Sequence, residues 1–108
     1  MEKEIVFLII LSLCFVLVSA INCQGKAEIL TSACRQACYQ VINEGQDLSA
    51  GPCLLDPIPQ DSNWVCDIAH NPRQAIDNEK ENQCNAWHNG TAKHFIELTP
   101  ECEFITAH

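Results

Sequence analysis

The chain has 108 residues, enough for one domain and no second. It carries 14 acidic side chains against 6 basic ones, and the part after residue 20 keeps twelve acids against five bases, a formal charge of −7. So acidic a small chain repels polyanions, which excludes a nucleic-acid-binding face and adsorption to anionic lipid.

The first element is a leader. Ile5 to Val18 is apolar but for Ser12, and Val18-Ser19-Ala20 supplies the small residues that a signal peptidase needs. Cleavage after Ala20 would leave a domain spanning residues 21–108. The head, Met1-Glu2-Lys3-Glu4, is near neutral where such leaders are usually positive, and the apolar run extended to Ile21 reaches 17 residues, the lower edge for a membrane span. Two readings therefore stand. Residues 1–20 are a signal peptide and the protein is secreted, or residues 5–21 are an uncleaved anchor with the domain outside.

Cysteine use points the same way. Of the eight cysteines, Cys14 lies in the leader and Cys23 just after it. Later cleavage, lipidation or pairing between chains would each remove Cys23 from the count. Cys34, Cys38, Cys53, Cys66, Cys84 and Cys102 remain as disulfide candidates, with a connectivity that spacing alone leaves open. Zinc is the competing use, but zinc sites place ligands in two tight pairs, whereas only Cys34 and Cys38 are close here. Small exported domains gain from such staples because their cores are thin.

Beyond the leader, Ala27, Leu30, Cys34, Ala37, Cys38 and Val41 recur at three- and four-residue steps, and Gly45 follows as a stop. The spacing predicts a helix over about residues 26–44 with both cysteines on its buried face. Residues 45–63 are rich in turn formers (Gly51-Pro52, Asp56-Pro57, Pro59) and read as a loop tied down by Cys53. Residues 63–69 alternate, with Trp64, Cys66 and Ile68 on one face and Val65, Asp67 and Ala69 on the other, which predicts a strand. Residues 73–83 are polar and irregular, with room for one helical turn near Asn78–Glu81. Asn89-Gly90, flanked by Ala86-Trp87-His88 and Thr91–Leu98, predicts a two-residue β-hairpin turn. A last short strand is expected over 102–105. The sum is a disulfide-stabilised α+β domain, one N-terminal helix packed on a short antiparallel sheet.

Candidate sites are few. Asp67, His70 and His94 offer mixed nitrogen and oxygen ligation to zinc or copper if the fold brings them together. His94 also fits a partly buried, hydrogen-bonded role, and His70 beside Pro72 fits a turn. The polar block holding Arg73, Gln74, Asp77 and Asn78 lies between a strand and Cys84 and reads equally as a partner-binding loop or as turn caps with an ion-paired arginine. Asn89-Gly90-Thr91 is a glycosylation sequon that the turn alone would explain. Trp64 and Trp87 read as packing anchors. No serine stands in a Gly-x-Ser-x-Gly turn and no carboxylate pair stands out, so no catalytic set and no cofactor are implied.

The strings Val65-Cys66-Asp67-Ile68-Ala69-His70-Asn71-Pro72-Arg73-Gln74, Asp77-Asn78 with Glu81-Asn82-Gln83-Cys84, and Lys93-His94-Phe95-Ile96-Glu97 resemble those of small uncharacterised exported proteins of archaeal genomes. The resemblance covers the C-terminal half of the chain. It implies export and attaches no activity. The expectation from sequence is thus a non-enzymatic extracytoplasmic binding or surface-associated module, its partner an unknown protein or envelope component. A metal-binding protein and a secreted toxin- or inhibitor-like peptide are the alternatives.

Overall fold

The computed structural model describes residues 25–108. The leader, its alternative as an anchor, Cys14 and Cys23 lie outside the described residues. Helix α1 spans Lys26–Asn43, and its buried stripe is Leu30, Cys34 and Cys38, with Ala33 and Val41 packed beside them. The four-residue repeat is what a helix with one dry face requires. Among the described residues, no helix is long and apolar enough to cross a membrane.

Beneath α1 lies a four-stranded sheet: β1 (Cys53–Leu55), β2 (Trp64–Ile68), β3 (His94–Leu98) and β4 (Phe104–Ala107), side by side in that order. β1–β2 and β3–β4 are antiparallel, but the central pair, β2 and β3, is parallel. The α+β class is as expected from sequence; the sheet is mixed rather than wholly antiparallel. A parallel pair needs a crossover. Here the crossover is the connection from Ala69 to Lys93, which carries 3₁₀ turns at Ala75–Asn78 and Lys80–Asn82 and a single-turn helix α2, Asn85–His88.

The expected hairpin at Asn89-Gly90 does not form. These two residues instead terminate α2. The Asn89 amide donates to the Asn85 carbonyl at 2.9 Å, and Gly90 takes φ +79°. Positive φ after a helix and positive φ in a type I′ turn call for the same residues, so the local signal could not separate them. What decides is long-range: the Asp56 carboxylate, from the loop after β1, accepts the Asn85 and Ala86 amides at 2.8 and 2.9 Å. These satisfy the free donors at the start of the turn.

The sheet is covered on both faces. On one side Cys66, Ile68, Ile96 and Leu98 meet Leu30, Cys34 and Cys38 of α1, with Ile58 and Leu48 filling the margins. On the other, Val65, Cys84 and Ala92 form a smaller cluster with Cys53, Ala86 and Phe95. Burying each large aliphatic side chain contributes about 2 kcal/mol. Three disulfides fix these layers: Cys34–Cys66 and Cys38–Cys102 rivet α1 to the sheet, and Cys53–Cys84 rivets the crossover to β1.

Two outcomes are expected. Peptide mapping of the unreduced protein should recover Cys34–Cys66, Cys38–Cys102 and Cys53–Cys84; any other pairing contradicts the layer arrangement. Gly51 has φ +69°, and a Cβ there would stand 2.5 Å from Asp77 Oδ1 and 3.1 Å from the Ile68 carbonyl, whereas nothing lies within 4 Å of one on Gly25. Gly51→Ala should therefore cost about 1–3 kcal/mol in denaturant unfolding and Gly25→Ala about 0.5 kcal/mol or less.

Candidate functional site

Strand alternation turns Val65 and Asp67 away from α1, toward the crossover. The parallel register sets Phe95 beside Val65 and Glu97 beside Asp67. Two carboxylates thus share one sheet face, Asp67 at 9% exposure and Glu97 at 8%. Burying like charges side by side is costly, and the structure answers with one cation. Arg73, from the crossover, donates from Nη1 to Glu97 Oε2 at 2.7 Å, from Nε to Asn78 Oδ1 at 2.8 Å, and from Nη2 to the Asp77 carbonyl at 3.4 Å.

Asp67 has no such partner. Its Oδ1 is buried without a hydrogen bond, the one such side-chain atom among the described residues. Burial, followed by the charge of Glu97, pushes its pKa up to about 8, against the opposing pull of the Ile68 amide and Arg73. At neutral pH the pair therefore consists of a protonated Asp67 beside a Glu97 that Arg73 neutralises. Such a pair can donate a hydrogen bond, hold a proton, or release that proton to solvent when a cation takes its place.

The pair lies in the wall of a cleft of about 210 Å³ whose other walls are Val65, Phe95, Trp87, Gln83 and Cys84. Trp87 meets Phe95 edge to face at 4.9 Å and stays 39% exposed, so it forms a rim as well as a packing contact. A second, broader groove runs between α1 and β4 past Tyr39 and Phe104. It holds no buried unpartnered polar atom. The cleft is the stronger candidate.

The residues expected from sequence to ligate metal do not converge. Asp67 faces the crossover. His94 is on the opposite face of the sheet, stacked on Trp64 at 4.6 Å, and His70 is held by Asp77, Nδ1 to Oδ1 at 2.9 Å. The grouped donors among the described residues are Cys53, Asp56 and Cys84 instead. There the two sulfurs are bonded to each other and the carboxylate caps α2, which leaves no thiolate for a metal.

The loop residues serve the fold as well as the cleft. Asp77, 1% exposed, accepts the His70 amide at 3.0 Å and the Gln74 amide at 2.9 Å. Burial alone would raise its pKa, but the Gln74 and His70 amides and the His70 ring outweigh it and hold the carboxyl below the usual aspartate value. Gln74 and Asp77 close the turn, Arg73 crosses to the sheet, and Asn78 steadies Arg73. Asn89 is exposed, with Oδ1 accepting the Thr91 amide at 3.0 Å and hydroxyl at 2.7 Å.

Glu97 and Phe95 stand outside the candidate residues of the sequence; they are legible only once β3 is aligned in parallel with β2, and the hairpin expected at Asn89-Gly90 conceals that alignment. Compared with family models, curated proteins and solved structures, the chain matches none.

A pH prediction follows from the two aspartates. Asp67 keeps its proton in the fold up to about pH 8 but loses it near pH 4 when unfolded, so the unfolded chain binds fewer protons and stability falls as pH rises between these values. Asp77 acts in the opposite sense and lower: its contribution is present above about pH 4 and is lost as pH falls through its depressed value. Asp67→Asn, which keeps the shape of the protonated group, should gain stability over the wild type by about 1.4 kcal/mol per pH unit across the upper window. Thermal melts from pH 5 to pH 8 measure this. A difference that stays constant over that range would mean Asp67 ionises normally.

Proposed function

We propose that the chain is a small exported, non-enzymatic binding module whose ligand enters the cleft between the β2–β3 pair and the crossover. The observation that carries the reading is Asp67: a nine-tenths buried carboxyl with an unpartnered oxygen, in a cleft with apolar walls and an adjacent ion pair. A buried polar atom without a partner costs on the order of 1–3 kcal/mol, and a ligand group that completes it recovers that cost.

The three disulfides support an oxidising, extracytoplasmic setting. The leader carries the reading further, to secretion with residues 1–20 removed. With its six described cysteines paired, the domain has no thiolate nucleophile among the described residues. That favours a binder over a cysteine-dependent catalyst.

Two measurements test this. The intact mass of protein recovered from the medium should correspond to residues 21–108 less six hydrogens; a mass retaining residues 1–20 would contradict release. A fragment screen monitored by amide and indole NMR should place its strongest shifts at Val65, Trp87, Phe95 and Glu97. Hits confined to the groove beside Tyr39, or none at millimolar fragment, would remove the cleft as the binding site.

A further inference from the structure

Resting on the cleft reading, we infer that the ligand is a small organic cation: an ammonium or guanidinium group on a flat apolar body, held between the Asp67–Glu97 carboxyls and the Trp87–Phe95 rim. Three ionisable side chains face the cleft, two acids, Asp67 and Glu97, and one base, Arg73. Arg73 is committed to Glu97 by the 2.7 Å contact, and its other nitrogens donate to Asn78 and the Asp77 carbonyl. Asp67 is therefore without a counter-charge whenever it ionises. A ligand cation would supply it.

The rest of the cleft suits such a ligand. Trp87 and Phe95 stand edge to face and offer aromatic surface, which attracts cations through the ring quadrupole, and Val65 completes an apolar wall. At about 210 Å³ the cleft is smaller than the 300 Å³ or so at which drug-sized sites begin, so the body is about one aromatic ring. An anionic ligand would face Glu97 and, once it ionises, Asp67, against one base that is already engaged.

Binding is then an exchange of a cation for a proton on Asp67. The charged groups around that carboxyl are Glu97 from β3 with Arg73 and Asp77 from the crossover; β1, paired on its other side, has none. His70 faces Asp77, and neither His88 of α2 nor His108, stacked on Phe95 at 5.6 Å, lines the cleft. With the Asp67 carboxyl titrating at about 8, affinity for a permanently charged cation should be about 25-fold tighter at pH 8.5 than at pH 6.5. About one proton should be released per ligand at the lower pH.

The test is calorimetric titration of the oxidised protein with benzylguanidinium, benzyl alcohol and phenylacetate, at both pH values and in two buffers of different ionisation heat. The binding locus is read in parallel from the NMR signals of Trp87 and Phe95. Expected is cation binding with that pH ratio and proton release, and at least a tenfold loss in Asp67→Asn at pH 8.5, whose fold is checked by its melting curve. Benzyl alcohol or phenylacetate binding as tightly as the cation, or a cation affinity independent of pH, would overturn the charge assignment while leaving the cleft as a binding site. No shift at Trp87 or Phe95 with any of the three would overturn the cleft reading as well.

Discussion

The parallel pairing of β2 and β3 is the constraint on which the rest of the molecule hangs. It forces a long crossover, because two parallel neighbours cannot be joined by a tight turn. The crossover in turn becomes the second covering layer, and it delivers Arg73, Gln83, Cys84 and Trp87 to the face that α1 leaves bare. The same register sets Asp67 against Glu97. An antiparallel arrangement of these strands would need neither the crossover nor the ion pair.

Small domains rarely have enough interior to support two covered sheet faces. This one does so with sulfur. α1 is fixed through Cys34 and Cys38, one turn apart on its buried stripe, to Cys66 at the sheet centre and Cys102 beyond β3. The other face holds a much smaller cluster, so the Cys53–Cys84 bond and the Asp56 cap on α2 do there what packing does beneath α1. Asp77 completes that side from within, accepting the His70 and Gln74 amides in the space that Gly51 leaves open. The polar character of the crossover is thus structural in part. What it leaves unpaired is Asp67.

How far the sequence speaks depends on the range of the interaction. α1 is legible because Leu30, Cys34 and Cys38 recur at helical spacing and nothing remote overrides them. β2 is legible from the alternation of Trp64, Cys66 and Ile68, and the six paired cysteines from their scatter. The Asn89-Gly90 pair misleads because two structures use it, and the deciding contact comes from Asp56, some thirty residues away. β1 is hidden because three residues at a sheet edge carry no period. The site is half legible. Asp67, Arg73 and the residues that brace Arg73 stand out as polar groups near a strand end, but Glu97 joins them only through the register, and Asp67, His70 and His94 do not meet because strand alternation sends His94 to the other face. A local pattern names the residues; the pairing of strands decides which of them meet.

The chemistry of the cleft turns on a buried aspartic acid that keeps its proton beside an ion-paired glutamate. Carbon-detected NMR of the Asp67 carboxyl across pH 3–10 observes that proton directly. The carboxyl carbon should stay in its protonated position through pH 6 and titrate near 8. A midpoint near 4, the value of an ordinary aspartate, would overturn the protonated Asp67.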